Sequence, residues 1–263
     1  MPRRLRVNMC GYYHIINRGV EKRRVYKDDE DFAKFLTIIC EASMFFEVDV
    51  HSYALMSNHY HLLIETKKEN LSKYMKYING NYAIYFNKKY NRSGYLWQGR
   101  YKSWYVTDEA YLYTLIRYIE NNPIKAKIIS TLGEYKYSSY NAFVEKDTPV
   151  QCVKNSIMFE QFEAIQDREE FFEVSVDDEL LFEIKKHSNL VVTSIKEKKN
   201  SLKKLKTLFK KEKNRDSAIF LAYKQEYTQT QIAQFLGLTQ ASISKIIKKM
   251  SYSYNPTPLT LRK

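Results

Sequence analysis

Hydrophobic residues form two kinds of stretch along roughly the first half of the chain. Four short stretches are rich in aromatic and β-branched residues, as is typical of strands, and in three longer stretches hydrophobic residues return every three or four positions, which is the period of a helix. Strands are predicted at Tyr12–Asn17, Val48–Leu55, His59–Glu65 and Trp97–Val106, and helices at residues 28–46, 71–90 and 108–121. The order β-α-β-β-α-β-α predicts an α+β fold with a mostly antiparallel sheet.

The C-terminal region repeats the helical spacing three times within residues 216–250. Thr228 and Gln231 match a capping box that opens the second of these helices, and Gly237 supplies the turn before the third. The isoleucines of the third helix form its inward face and leave a polar outward face. The outward residues are Gln240, Ser242, Ser244, Lys245, Lys248 and Lys249. The pattern predicts a helix-turn-helix that binds duplex DNA, with a helical bundle used for protein contacts as the alternative.

Charge is divided unevenly along the chain. Residues 1–159 carry 24 Lys/Arg and 16 Asp/Glu, residues 160–183 carry 1 and 10, and residues 184–263 carry 18 and 4. A strongly basic terminal region is typical of proteins that bind a polyanion. Together with the element pattern, this division predicts three regions. They are a larger first domain at 1–145, an acidic and then lysine-rich spacer, partly helical, at 146–213, and a helix-turn-helix domain at 214–263.

Composition argues against several classes of protein. A hydrophobic content of 44% supports a packed core. The three cysteines form no C-x-x-C pair, so neither a zinc ribbon nor a disulfide framework is indicated, and a reducing cytoplasm is expected. No apolar run of about 18 residues and no phosphate-binding loop of the G-x-x-x-x-G-K-[ST] type is found. Membrane-spanning and ATP-driven functions are therefore not predicted.

Two short motifs carry candidate chemistry. His59 and His61 are separated by one residue on a predicted strand, so they project from the same face, roughly 6.6 Å apart along the strand. Tyr118 and Asn122 are one turn apart near the end of a predicted helix and share a face. Two imidazoles and an amide oxygen are able to hold a divalent cation, and a tyrosine hydroxyl is a nucleophile. Each motif alone is more often part of a core, but the two together beside a basic helix-turn-helix indicate a site.

A series of motifs over residues 1 to about 145 resembles the single-tyrosine HUH transposases, particularly the REP-associated tyrosine transposases. The motifs are Tyr13-His14-Ile15-Ile16 with Arg18-Gly19, the helix start Asp28–Asp31, Asn58-His59-Tyr60-His61-Leu62-Leu63, Gly94–Ser103, Asp108-Glu109-Ala110-Tyr111, and Tyr118 with Asn122-Pro123-Ile124-Lys125-Ala126. The chain departs from the family at Ser57, where Pro is usual, and at Glu120, where His is common. The resemblance implies a ferredoxin-like, mostly antiparallel sheet with helices on one side.

The resemblance also implies a mechanism. His59, His61 and the amide oxygen of Asn122 would hold Mg²⁺ or Mn²⁺ to polarise the scissile phosphate. Tyr118 would attack the phosphorus, form a 5′-phosphotyrosine and release a 3′-hydroxyl. Imidazole ligands favour Mn²⁺, whereas the family is taken to use Mg²⁺. A phenol has a pKa of about 10, and the sequence reveals no general base for Tyr118.

A flexible single strand of DNA suits such a site, because it can thread across the reacting groups while its bases stack on aromatic rings. Arg100 and Lys102 are the predicted DNA contacts of the first domain, with Trp97 and Tyr101 beside them. Trp97 is equally well explained as a core residue.

The leading interpretation is a metal-dependent transposase that nicks and rejoins single-stranded or hairpin-associated DNA. Its expected setting is the bacterial cytoplasm at the nucleoid, as a monomer or homodimer with no membrane partner. One alternative is a non-catalytic transcriptional regulator derived from a transposase. Another is a plasmid replication or mobilisation nickase, which shares the chemistry but usually has a longer chain.

Overall fold

The computed structural model describes residues 7–174, 182, 186, 201–212 and 214–254. It divides the chain into two compact units, Met1–Val192 and Thr193–Lys263, which are described separately. Residue 213 and residues 175–200 of the predicted spacer, except 182 and 186, lie outside the described residues, so the interpretation of this region as a spacer stays a prediction. The predicted domain limits at 145 and 213 also stay predictions.

The first unit is built on a four-stranded antiparallel sheet. Its strands are β1 (Gly11–Arg18), β2 (Val48–Met56), β3 (His59–Thr66) and β4 (Lys102–Tyr105), in the spatial order β2-β3-β1-β4. The helices between and after them are α1 (Asp29–Phe46), α2 (Leu71–Lys89) and α3 (Glu109–Glu120). The predicted α+β class and antiparallel sheet are confirmed.

Local sequence explains where α1 begins and ends. The side chain of Asp28 accepts a hydrogen bond of 3.0 Å from the backbone N–H of Asp31, and the acidic first turn suits the positive end of the helix dipole. Glu47 takes a left-handed conformation with φ 53°, which ends the helix and lets Val48 start β2.

The two faces of the sheet carry different helices. Tyr60 and His61 are adjacent on β3 and therefore point to opposite faces. On the Tyr60 face, the ring of Phe35 from α1 lies 5.0 Å away, and Asn79 from α2 accepts a hydrogen bond of 2.9 Å from the Tyr60 hydroxyl. On the His61 face, the ring of Tyr118 from α3 lies 5.7 Å from that of His61. The one-sided arrangement expected for the helices is therefore corrected: it describes α1 and α2, whereas α3 packs its apolar residues on the opposite face.

Strand β4 is shorter than predicted. The predicted strand began at Trp97, but ladder pairing with β1 covers only Lys102–Tyr105. Gly99 has φ 157°, which most residues rarely adopt, and the chain departs there from regular pairing. The indole N–H of Trp97 donates to the backbone carbonyl of Asn79 at 3.0 Å, on the Tyr60 face. The half-buried indole of Trp97 therefore packs against the rings of Phe35, Tyr60 and Tyr82 on that face.

The residues after α3 continue to pack on the first unit. They form α4 (Asn122–Lys125), α5 (Tyr140–Phe143), α6 (Ile157–Gln161) and α7 (Ile165–Glu173). The hydroxyl of Ser156 donates to the His51 carbonyl of β2 at 2.8 Å, and the guanidinium of buried Arg168 donates to the Phe143 carbonyl at 2.6 Å. Part of the predicted spacer is thus bound tightly to the sheet and to α5.

Glu120, at the end of α3, is buried against β2 and α5. Its carboxylate accepts hydrogen bonds from the Ser52 hydroxyl at 2.7 Å, the Ser139 hydroxyl, and the Tyr140 backbone N–H at 3.0 Å. Burial raises the pKa of this carboxyl to about 7, while these donors act in the opposite direction. Glu120 therefore anchors the end of α3 to β2 and to α5.

Cys40 and Cys152 are joined by a disulfide that ties α1 to the segment before α6. The expectation that the cysteines form no disulfide is wrong for this pair. The two residues are 112 positions apart, and only the fold brings their Cα atoms to 4.8 Å. Such a pairing leaves no local signal in the sequence.

The second unit is helical in its described residues. It comprises residues 201–211 and the helices α8 (Arg215–Lys224), α9 (Gln229–Leu236) and α10 (Gln240–Tyr254). The capping box of Thr228 and Gln231 is present, and Gly237 ends α9 with φ 66°. Leu205 is buried in one core with Ile232, Ile243 and others, so residues 201–211 pack with the predicted helix-turn-helix. Nowhere in the described part of the chain is there a helix with the length and apolar character needed to cross a membrane.

Candidate functional site

A cavity of about 720 Å³ opens on the His61 face of the sheet, next to α3. Its polar lining comprises His14, Asn17, Arg18, His59, His61, Gln98, Arg100, Lys102, Tyr118 and Asn122. The predicted nucleophile, the three predicted metal ligands and the two predicted DNA contacts of the first domain thus line one space. The structure brings all six together from β3, α3, α4 and the segment around β4.

The rings of the two histidines of β3 meet edge to face, with centroids 5.2 Å apart. The Nδ1 atom of His59 lies 2.6 Å from the Oδ1 atom of Asn58, which can only accept, so the lone pair of His59 is on Nε2. Burial, and then the Arg18 guanidinium, lower the pKa of His59 to about 4. His59 is therefore neutral near pH 7, which is the form that binds a cation.

Tyr118 near the end of α3 and Asn122 at the start of α4 are one turn apart. The amide nitrogen of Asn122 donates to the backbone carbonyl of Tyr118 at 2.7 Å. The Tyr118 ring meets His61 and His14 edge to face, with centroids 5.7 and 5.8 Å away. Pro123 is tolerated because it lies in the first turn of α4, where a backbone N–H has no helical acceptor.

Positive charge surrounds the site. Arg18, Arg100 and Lys102 line the cavity, and the Lys125 ammonium lies 5.2 Å from the centre of the Tyr118 ring. A cleft that is lined by positively charged side chains attracts phosphate groups. The surroundings of Tyr118 therefore suit a nucleic-acid backbone.

The donor set fits a divalent cation. Among the described residues there is no cluster of three or more His, Cys, Asp and Glu side chains suited to a metal. His59 and His61 instead offer two imidazoles, and the Asn122 oxygen is available because its nitrogen is bonded to the helix. Three protein donors leave coordination positions open for phosphate oxygens and water, as in catalytic metal sites.

Several residues of the site had no assigned role in the sequence interpretation, among them His14, Arg18, Trp104 and Lys125. Alternation along β1 places His14 and Arg18 on one face, and β1 lies directly beside β3. The signal that would have revealed them is the pairing of β1 with the H-x-H strand. That pairing is long-range and was not predicted.

The predicted contacts of the second unit lie on α10. Gln240, Lys245, Lys248 and Lys249 are exposed, whereas Ser242 is half-buried and its hydroxyl lies 2.8 Å from that of Thr239. Ser242 therefore also takes part in capping α10. DNA contact by these five predicted residues stays a prediction.

Comparison with solved structures gives partial likenesses. A REP-associated tyrosine transposase bound to a REP hairpin is 13% identical, with 56% of this chain and 86% of that chain covered and a TM-score of 0.46. A candidate transposase from Deinococcus radiodurans R1 is 20% identical, with coverages of 46% and 97% and a TM-score of 0.33. The tRNA(His) guanylyltransferase of Saccharomyces cerevisiae is 10% identical, with coverages of 69% and 80% and a TM-score of 0.35.

These TM-scores are too low to carry a functional conclusion. Comparison with curated proteins gives no match. The family model of the IS200-like transposases matches residues 8–122, which hold the whole four-stranded sheet and both motifs. Residues 8–122 of this chain are therefore similar to the IS200-like transposases.

Proposed function

We propose that this protein nicks and rejoins single-stranded or hairpin-associated DNA through a 5′-phosphotyrosine on Tyr118. The observation that supports this most is the single cavity shared by Tyr118, His59, His61 and Asn122. A binding-only protein has no use for a tyrosine hydroxyl beside two imidazoles and an amide oxygen.

Tyr118 supplies the nucleophile. Its phenolic oxygen forms a bond to phosphorus while the bond between phosphorus and the 3′ oxygen breaks. The phenolic proton leaves, and the 3′ oxygen gains a proton to become a hydroxyl. Because the phosphotyrosine is still a phosphodiester, the 3′-hydroxyl of another strand is able to reverse the step without ATP.

His59, His61 and Asn122 would hold a divalent cation, Mg²⁺ or Mn²⁺. When bound, such a cation withdraws charge from the phosphate oxygens as a Lewis acid. His59 contributes Nε2, because its Nδ1 is bonded to Asn58. Asn122 contributes its amide oxygen, because its nitrogen is bonded to α3.

The remaining basic residues place the DNA. Arg100 and Lys102 are exposed at the edge of the cavity, where they would bind phosphates on either side of the scissile one. The second unit would bind duplex DNA through α10, whose exposed face carries Gln240 and Lys245 among its polar residues.

The test is a covalent adduct. We expect the full chain with Mg²⁺ or Mn²⁺ to cleave a labelled pool of single-stranded hairpin oligonucleotides with randomised flanks. A protein–DNA adduct should survive denaturation, and Tyr118→Phe should abolish it while DNA binding is kept. Tyr113→Phe is the matched control, because Tyr113 lies on α3 but donates its hydroxyl to Gln161 and does not line the cavity.

An adduct of undiminished yield in Tyr118→Phe would overturn the assignment of the nucleophile. Binding of the pool with no cleavage at any metal concentration would favour the alternative, a DNA-binding regulator derived from a transposase.

A further inference from the structure

His14 on β1 is a buried imidazole, and only 3% of the residue's surface is exposed. In the register of β1 with β3, His14 lies opposite Leu63 and Ile16 lies opposite His61. His14 is therefore the diagonal neighbour of His61, at a separation that long or aromatic side chains span. Its Nε2 atom lies 3.1 Å from the Nδ1 atom of His61.

This contact couples the tautomers of the two rings, because one of the two facing nitrogens must carry the proton that the other accepts. An imidazole that binds a cation through Nε2 keeps its proton on Nδ1, and that N–H needs an acceptor. The Nε2 atom of His14 is within hydrogen-bond distance of that proton. The neighbouring ligand has the same arrangement, since Asn58 accepts from Nδ1 of His59.

The ring of His14 is itself held in place on two sides. Trp104 on β4 lies 5.4 Å from it, and the Tyr118 ring meets it nearly at a right angle at 5.8 Å. The rings of His14 and His61 are close to parallel, at 21°. A side chain wedged in this way restricts both the rotation and the tautomer of the ring that it touches.

We propose that His14 is a positioning residue that accepts a hydrogen bond from Nδ1 of His61 and so directs Nε2 of His61 toward the cation. The inference rests on the proposed function only for the role of His61 Nε2 as a ligand of the cation. The tautomer of His61 is a property of the protein without metal.

The first experiment measures that tautomer directly. Long-range ¹H–¹⁵N NMR on the metal-free full chain should show His61 protonated on Nδ1 and unprotonated on Nε2. The reverse tautomer would overturn the proposal, whether or not the protein proves to be a transposase.

The second experiment measures Mn²⁺ affinity by electron paramagnetic resonance, without DNA. His14→Phe keeps an aromatic ring but offers no acceptor, and we expect it to weaken binding by roughly 10- to 100-fold. His14→Gln, whose amide oxygen reaches about as far as Nε2, should restore most of the affinity. His51→Gln is the matched control, because His51 is a buried histidine on β2 that does not line the cavity.

Unchanged Mn²⁺ affinity in His14→Phe would overturn the proposal. So would a loss in His14→Gln equal to that in His14→Phe when both unfold at the wild-type temperature. If His14→Phe does not fold, the proposal is still tested in two ways. One is the Mn²⁺ affinity of His14→Gln relative to the wild type, and the other is the tautomer of His61 measured by NMR. Failure of the wild type to bind Mn²⁺ would contradict the proposed metal site and leave the tautomer result to judge His14 by itself.

Discussion

The side-chain amide of Asn122 donates a hydrogen bond of 2.7 Å to the backbone carbonyl of Tyr118. This contact couples the proposed nucleophile to a proposed ligand. It also fixes the orientation of the amide, since the nitrogen faces the helix and the oxygen is left for a cation. Asn121 makes a similar bond to the Arg117 carbonyl at 2.8 Å but does not line the cavity.

The pair of asparagines gives a controlled test of the metal site. Asn122→Ala should lower adduct formation by roughly tenfold or more, with partial rescue by excess Mn²⁺, whereas Asn121→Ala should not. His59→Ala and His61→Ala should each lower it roughly 100-fold or more, because a Lewis-acid metal supplies several kcal/mol and about 1.4 kcal/mol is tenfold in rate. Chelation with EDTA should stop the reaction, and full activity in EDTA would exclude the metal mechanism.

Lys125 is expected to assist Tyr118. Its ammonium lies 5.2 Å from the centre of the Tyr118 ring, where it would stabilise the charge that develops as the phenol loses its proton. Lys125→Gln should slow single-turnover adduct formation roughly threefold to thirtyfold, in line with a cation–π contact of about 0.5–2 kcal/mol. Lys127→Gln, an exposed change two residues further on, is the control. Equal rates for the two variants would leave Lys125 without a role in the chemical step.

Glu120 should matter for stability. Glu120→Ala would remove the carboxylate that accepts the shortest hydrogen bonds from the buried donors of Ser52, Ser139 and Tyr140. We expect a loss of about 3 kcal/mol in the free energy of unfolding, because each unsatisfied buried group costs about 1–3 kcal/mol. Glu120→Gln keeps one acceptor oxygen and should lose less. Urea unfolding measures both, and a loss no greater than that of the exposed change Glu41→Ala would contradict the anchoring role.

We expect Glu65 on β3 to contribute to the free energy of unfolding in a way that is lost in acid. His51, whose Nε2 lies 3.8 Å from the carboxylate, and then the Lys67 ammonium lower its pKa from 4.5 to about 2. A depressed folded-state pKa stabilises the fold above about pH 4.5, and that stabilisation is lost as pH falls toward 2. Because Lys67 is half exposed, we expect only about 1 kcal/mol from this contact. Urea unfolding at pH 6 and pH 3 should show a smaller acid loss in Glu65→Gln, and identical losses would contradict the assignment.

Duplex binding should depend on the lysines of α10. Lys245→Gln with Lys248→Gln should weaken duplex binding and reduce its dependence on salt, because a protein that neutralises fewer phosphates releases fewer counterions when it binds. The same changes at Lys73 and Lys76, exposed on α2, are the control. Unchanged affinity and salt slope would assign the second unit to protein contacts.

A truncation should separate the two activities. The fragment should end at Val192, the limit of the first unit. A fragment that ended near residue 150 would lack Cys152 and Arg168, which are buried within that unit. We expect this fragment to keep cleavage of a short single-stranded substrate and to lose most duplex affinity. Duplex affinity equal to that of the full chain would contradict the assignment to the second unit.

Local spacing along the sequence determined a large part of this protein. The shared face of His59 and His61 follows from the two-residue period of a strand, and the shared face of Tyr118 and Asn122 from the turn of a helix. The capping box at Thr228 likewise depends only on neighbours in sequence. Such features are predictable because the residues involved are held together by a few consecutive backbone angles.

Only the tertiary structure decided how these pieces meet. The contact of His14 with His61 spans 47 residues, and the anchoring of Glu120 by Ser52 spans 68. The Cys40–Cys152 disulfide spans 112. Each depends on strand register or on the packing of a helix against a distant surface, and a shift of one residue in register would turn the side chains to the other face. The sequence by itself specifies the periods of the strands and helices. The register of the strands and the packing of the helices result from burying the apolar faces of all these elements at once.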